Sequence, residues 1–202
     1  MGIILDLILV LISAIVHEVS HGVVAGWFGD RTAEEEGRIS LNPIVHIDLF
    51  SSILLPLFLR LAGSPIVFGA AKPVPVNFNR MGNPRLGMLF VSLAGPLSNF
   101  ILATLCALVI NFDLTNAISG PILKQLALIN VILGTFNLIP IPPLDGSKLL
   151  ASLLPSRFMY TILSLEQYGF LLVLIFLMLG ILDRILLPVL LVFSRLFGID
   201  LI

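Results

Sequence analysis

The sequence predicts an all-α polytopic membrane protein with about five to six membrane segments and a short extended or β element within residues 64–84. Composition is the first reason. The 202 residues are 58% hydrophobic and only 11% charged, and the mean hydropathy is +1.11. The second reason is a series of apolar runs, several of which reach the roughly 20 residues needed to cross a bilayer. This composition excludes a soluble domain and predicts one domain, residues 1–202, in a lipid bilayer.

The apolar runs define the predicted spans. One apolar run, residues 47–62, is short and contains Asp48, Pro56 and Arg60. Because the helix directions derived below require residues 29–85 to leave and return to one face, this run cannot simply cross: either it is re-entrant or interfacial, or the Pro-rich segment after it carries the chain back beside it. The predicted spans are residues 3–28, 86–112, 122–138 and 158–182, followed by a shorter one at 185–197.

The region before the second span differs in character from the spans. It is rich in Pro, Gly and Asn, and residues 74–77 read Val-Pro-Val-Asn. A residue that precedes proline is disfavoured in the α region, which predicts extended chain here.

Charge and cysteine content limit the partners. The net charge is −1 and there is no basic tract, so no nucleic-acid partner is predicted. The single cysteine, Cys106, excludes an intramolecular disulfide and is predicted to be a small packing residue.

The most informative motif is His17-Glu18-Val19-Ser20-His21, inside the first apolar run. On a helix the two imidazoles lie on one face, one turn apart, where both can bind a single zinc ion. Glu18 is then beside the metal, placed to take a proton from a bound water. Polar groups of this kind are costly in hydrocarbon, which indicates a function.

A third ligand is needed because a catalytic zinc usually has three protein ligands and an open position. Asp145 stands out among the acidic residues, since it lies near the end of the run 137–146, in which three prolines break the helix as it leaves a span. Such a broken segment is tolerated at membrane depth where it lines a cavity or a wet site. The alternative is that Asp145 caps the helix that follows.

Three motifs, in order, carry a family resemblance. Together they resemble the site-2 protease family of intramembrane zinc metalloproteases, in the small branch without extra soluble domains, and the resemblance covers nearly the whole chain. The motifs are His17-Glu18-x-x-His21, Ala94-Gly95-Pro96-Leu97-Ser98-Asn99 and the run 137–146, with further similarity at Leu41-Asn42-Pro43 and at residues 71–77.

The resemblance implies a function and a set of roles. It implies an endopeptidase with one Zn²⁺ per chain, held by His17, His21 and Asp145, with Glu18 as general base. It makes Asn137 a polar partner for the substrate backbone or the tetrahedral intermediate. The implied partner is a transmembrane protein or peptide substrate; the sequence does not give the oligomeric state.

Other candidates carry open alternatives. Asn99 is predicted either to contact substrate or only to bond a neighbouring helix across Gly95. Val74, Val76 and Asn77 are predicted either to pair with an unwound substrate strand by edge addition or merely to end a helix at the surface. The remaining polar positions have simpler interpretations: a loop or interfacial histidine at His46, a solvated loop at Glu34–Glu36, and a water-facing or paired acid at Glu166.

The direction of the helices follows from the requirement that zinc ligands share one membrane depth. The first helix and the span at 122–138 then end on the same side. The basic loops also cluster on that side, so the positive-inside rule predicts a cytoplasmic active site, an N-terminus outside and a C-terminus inside.

Two other function classes remain open. One is a zinc-binding membrane transporter, which is weaker because a transport site has little need of an adjacent general base and no inverted repeat is visible. The other is a catalytically inactive relative that binds transmembrane segments without cutting them.

Overall fold

The computed structural model describes residues 2–47 and 72–201, apart from the side chains of Ile3, Phe170 and Asp183. Within these residues there is no β-strand; residues 72–77 form irregular chain, so the predicted β element is not found in the described part. Most of the predicted re-entrant segment, residues 48–62, lies outside the described residues. The described α-helices are α1 (Ile3–Trp27), α2 (Thr32–Glu35), α3 (Pro84–Asn111), α4 (Ser119–Asn137), α5 (Asp145–Leu153), α6 (Ser156–Ser164), α7 (Gly169–Met178) and α8 (Ile181–Phe197).

Among the described residues, three helices are long and apolar enough to cross a membrane: α1, α3 and α4. Helices α6 and α7, with the turn between them, form a bent pair. If this pair is counted as a single span, the described residues contain four spans. The five to six predicted segments are therefore not confirmed by the described residues. The sequence predicted α1, α3 and α4 to within a few residues because apolar length is a strong signal in lipid.

The residues of the predicted span 158–182 form a bent pair of helices rather than one straight helix. Helix α6 ends at Ser164, a 3₁₀ turn follows over Leu165–Tyr168, and the chain bends by 79° before α7 continues. Gly169 gives the physical reason: a Cβ added there would lie 2.5 Å from Pro143 Cδ. The break brings a glycine against the loop that leads to Asp145.

Helices α1, α3 and α4 pack together in alternating directions. His17 contacts Asn99 and His21 contacts Val91, so positions that rise along α1 meet positions that fall along α3. These two helices are antiparallel. The end of α4 leads to Asp145, which meets the same histidines, so α1 and α4 run in the same direction.

Small residues allow this close packing. Ala103 and Ala107 of α3 and Ala127 of α4 are fully buried in one cluster, together with Cys106. Small side chains bring membrane helices into close contact. The burial of Cys106 agrees with its predicted packing role. Large apolar side chains on the outer face of α3 are exposed, as expected for a surface that faces lipid: Leu97, Ile101 and Leu105.

Candidate metal centre

Three predicted ligands converge at one point between α1 and the start of α5. Nε2 of His17 lies 3.0 Å from Oδ2 of Asp145, Nε2 of His21 lies 3.2 Å from the same oxygen, and the two nitrogens are 3.1 Å apart. Both histidines are buried. Among the described residues, these three form the group of side chains close enough to hold a metal ion.

The other nitrogen of each imidazole is already bonded. Nδ1 of His17 lies 2.6 Å from Oδ1 of Asn99, and Nδ1 of His21 lies 2.7 Å from the Val91 carbonyl oxygen. Both partners are acceptors, so each Nδ1 carries the proton and each Nε2 presents a lone pair. This is the tautomer that a histidine needs to bind a metal through Nε2.

The arrangement fits a zinc ion in chemistry and in size. Two lone pairs and a carboxylate oxygen face one another, which is repulsive unless a cation or a proton lies between them. A tetrahedral zinc with bonds of about 2.0–2.1 Å holds its ligand atoms about 3.3 Å apart. The observed separations of 3.0–3.2 Å are close to that value.

A glycine of α3 makes room for the histidines. A Cβ at Gly95 would lie 2.5 Å from Nε2 of both His17 and His21. Real Cβ contacts are never this short, so another residue at position 95 would displace the imidazoles. The absence of a side chain at Gly95 therefore leaves the space that the two imidazoles occupy.

A buried polar network extends behind His17. Asn99 donates to Oδ1 of Asn130 at 2.8 Å, and Asn130 donates to the Ser13 hydroxyl at 2.8 Å. All three side chains are fully buried. Asn99 thus lies behind His17 rather than in the cleft. Ser13 and Asn130 were not predicted, although polar residues inside apolar spans were the available signal.

The proline-rich loop positions Asp145. Leu144 is extended and acts as the N-cap of α5, so Asp145 is the first helical residue and makes no side-chain cap. The alternative that Asp145 caps this helix is therefore wrong. A Cβ at Gly146 would lie 2.2 Å from the Leu138 carbonyl oxygen, so the loop folds tightly onto the start of α5.

The three predicted ligands border a cleft of about 250 Å³. Glu18 lines it, and its Oε2 accepts a hydrogen bond from the Val74 amide at 2.8 Å. Asn137 lines it too, while its Nδ2 donates to the Leu133 carbonyl at 3.0 Å. Val76 and Lys148 also face the cleft.

The remaining predicted positions lie elsewhere. Asn77 is exposed and donates its amide to Asp30. His46 is fully buried beside the Ser40 carbonyl, away from the ligands, and is not simply a loop or interfacial residue. Glu35 of the acidic triplet pairs with Arg80 at 2.6 Å.

Comparison with known proteins agrees with the site chemistry. YwhC of Bacillus subtilis, whose name places it among zinc metalloproteases, is 37% identical over 177 residues, or 83% of this chain and 77% of YwhC. Rip2 of Mycolicibacterium smegmatis, with a name of the same kind, is 30% identical over 86% of this chain and 66% of its own length. The zinc metalloprotease MJ0392 of Methanocaldococcus jannaschii is 29% identical over 76% of this chain and 35% of its own length.

No solved structure matches the chain. The sequence model of peptidase family M50 matches residues 113–181, which include the proline-rich loop and Asp145. With the similarity to YwhC over most of both chains, this match shows that the chain belongs to peptidase family M50, the site-2 proteases.

Proposed function

We propose that this protein is an intramembrane zinc endopeptidase that hydrolyses peptide bonds in or near transmembrane helices of membrane-anchored substrates. The observation that carries the proposal is the convergence of two imidazole nitrogens and one carboxylate oxygen at separations of 3.0–3.2 Å, with Glu18 lining the same cleft. The membership in family M50 supports the same reaction.

His17, His21 and Asp145 would hold one zinc ion per chain. A bound zinc supplies Lewis acidity for a water and for the scissile carbonyl. The bonds from Asn99 and from the Val91 carbonyl orient the imidazoles toward the ion.

Glu18 acts as general base in this proposal. It accepts a proton from the attacking water and returns the proton to the leaving amine. Asn137 has one amide hydrogen on the Leu133 carbonyl, which leaves its second hydrogen to bond the oxyanion or the substrate backbone. Because Asn137 and Glu18 line one cleft, they can act on one scissile bond.

The segment that includes Val74, Val76 and Asn77 serves as the pairing strand for substrate. A helical substrate must first unwind, because its carbonyls are bonded internally. The freed strand can then be held by backbone hydrogen bonds, which do not depend on its sequence. The Val74 amide is bonded to one oxygen of the Glu18 carboxylate, Oε2, in this structure, which leaves the other oxygen to receive the proton from water.

The active site faces the cytoplasm, with the N-terminus outside and the C-terminus inside, and the chain has five to six membrane segments in total. Reporter fusions in the loop at 29–46 test the orientation, and a loop found outside the cytoplasm would contradict it. The basic residues that support this orientation are Arg31, Arg38, Lys72, Arg80, Arg85, Lys148 and Arg157, against Lys124 and Arg184 on the opposite side.

The deciding experiment compares wild type with Glu18→Gln. Each protein is purified in detergent, its zinc content is measured, and it is incubated with a single-span substrate that carries helix-breaking residues. Loss of a general base lowers kcat by about 10²–10⁴-fold, while zinc content stays near one per chain. Glu34→Gln, which changes an exposed acid of helix α2, is the matched control and should cleave like wild type.

Other outcomes separate the alternatives. Cleavage that persists in Glu18→Gln contradicts the assigned base. A wild-type protein that binds zinc but never cleaves indicates an inactive relative. Zinc movement across liposomes without cleavage indicates a transporter.

A further inference from the structure

Residues 72–77 are tied at several points to α1 and to the turn that follows it. Glu18 of α1 accepts from the Val74 amide at 2.8 Å, and Asp30, just past the end of α1, accepts from the Asn77 amide at 2.6 Å. Arg38 donates to the Lys72 carbonyl at 2.8 Å. The segment is therefore held along its length.

Two of these contacts fix where the segment lies along the cleft. Pro73 and Pro75 have no backbone N–H to donate. Val74 and Asn77 do have a backbone N–H. The Val74 amide bonds Glu18 of α1, and the Asn77 amide bonds Asp30 just past the end of α1. Glu18 has a second task during catalysis, because its carboxylate also has to receive a proton. Asp30 has no such second task, so it can hold the segment throughout the reaction.

Asp30 is built for this purpose. The residue is 1% exposed, and its Oδ1 accepts from both the amide and the hydroxyl of Thr32, which leaves Oδ2 for Asn77. Hydrogen bonds to an ionised carboxylate are about twice as strong as neutral ones. Burial alone would raise the pKa of Asp30, but the bonds from Thr32 and Asn77 hold that pKa below its usual range.

The surrounding turn is attached by other contacts as well. The Gly82 amide donates to the Phe28 carbonyl at 3.1 Å, and Arg80 pairs with Glu35 at 2.6 Å. These contacts remain when Asp30 is changed. A substitution at Asp30 should therefore loosen the Asn77 end of residues 72–77 without detaching the whole turn.

We infer that Asp30 is a positioning residue that sets the register of residues 72–77 along the cleft, and so determines which substrate bond is presented to Glu18. The inference rests on the proposed function. It makes a prediction that a purely stabilising role does not make: a register change moves the site of cleavage.

The test compares wild type, Asp30→Asn and Glu35→Gln as zinc-loaded proteins in detergent. The readouts are zinc content, hydrogen exchange of peptides that cover residues 72–81, kcat and KM on one single-span substrate, and product masses. Asparagine keeps one acceptor oxygen where aspartate has two, so it cannot serve Thr32 and Asn77 as before. Glu35→Gln also removes a carboxylate from the same turn, but an exposed one.

We expect Asp30→Asn to keep its full zinc content. Hydrogen exchange should be about tenfold faster in residues 72–81 and unchanged in α3. The kcat should fall by about tenfold and KM should change less, since a misplacement of about 1 Å can cost up to 100-fold in rate. New products should appear, cut one or two residues from the wild-type site. Glu35→Gln should keep the wild-type site and the wild-type kcat.

A wild-type cleavage site, kcat and exchange pattern in Asp30→Asn would overturn the inference. If Asp30→Asn loses zinc and exchanges rapidly throughout, Asp30→Glu decides: it keeps the charge but moves the carboxylate by one methylene, and a single unshifted cleavage site would then count against the inference. If wild type neither holds zinc nor cleaves, the proposed function fails. Comparison of hydrogen exchange at residues 72–81 between wild type and Asp30→Asn then shows whether Asp30 holds the segment.

Discussion

Nδ1 of His17 lies 2.6 Å from Oδ1 of Asn99, and this bond joins the first predicted zinc ligand to the middle of α3. Asn99 is held in turn by Asn130 of α4, which bonds Ser13 of α1. The network closes on the helix from which it starts. Three helices therefore fix one imidazole, and the bond to Asn99 determines which nitrogen carries the proton.

The first prediction concerns this bond. Asn99→Ala should lower zinc affinity by about 10–100-fold, because the acceptor that orients His17 is lost. Zinc competition with a chelator of known affinity measures the change. Ser98→Ala is the matched control, since within the described part of the chain the Ser98 hydroxyl bonds the Gly95 carbonyl of its own helix and no other residue. Equal affinities for the two variants would contradict the role given to Asn99.

The sequence predicted the parts of the molecule that are governed by local rules. Apolar length predicted α3 as 86–112 where it is Pro84–Asn111, and α4 as 122–138 where it is Ser119–Asn137. Helical periodicity placed His17 and His21 on one face. Proline chemistry placed a break before Asp145.

The parts that depend on distant contacts could not be predicted. The break near Gly169 follows from its approach to Pro143, 26 residues earlier in the chain. The partner of the His21 Nδ1 is a backbone carbonyl, that of Val91, which no side-chain pattern signals. Asp30 lies in a polar turn, where an aspartate is ordinary, and only its bond to Asn77 distinguishes it.

The second prediction concerns the space beside the histidines. Gly95→Ala should abolish zinc binding in the folded protein, because the new Cβ would lie 2.5 Å from both Nε2 atoms. Helical alanine is otherwise favoured over glycine by about 1 kcal/mol, so helix content should be retained. Circular dichroism and metal analysis together check this. Gly120→Ala serves as the control, since its nearest contact would be 3.4 Å away. Stoichiometric zinc in Gly95→Ala would show that the imidazoles do not pack against α3 as described.

The third prediction uses two glycines of α1. A Cβ at Gly22 would lie 3.0 Å from Val74 Cγ1 and from Ala33 Cβ, whereas a Cβ at Gly26 would meet none of the described residues within 4 Å. Both alanine variants gain the same helix propensity, roughly 1 kcal/mol. Gly22→Ala should keep its zinc but lose several-fold in kcat/KM, because Val74 must move away from the helix. Gly26→Ala should cleave like wild type and melt at a higher temperature. Identical kinetics in the two variants would mean that the position of Val74 does not matter for cleavage.

The fourth prediction is a pH dependence of stability that comes from Asp30. Its pKa is lower in the folded protein than the value of about 3.9 for an unfolded aspartate. The folded state therefore binds this proton less readily than the unfolded state, and the ionised carboxylate stabilises the fold. That contribution is fully present above the unfolded pKa and is lost as the pH falls through the folded pKa.

Asp30→Asn has no such titration at this position. The difference in melting temperature between wild type and Asp30→Asn should be constant from about pH 5 to 7, and it should shrink below about pH 4, where the unfolded carboxyl begins to take up its proton. Thermal unfolding in detergent across this range measures it. Glu35→Gln should show a much weaker trend, because an exposed ion pair contributes little. A difference that grows as the pH falls would have the wrong sign and would show that burial, rather than the bonds from Thr32 and Asn77, controls the Asp30 carboxylate.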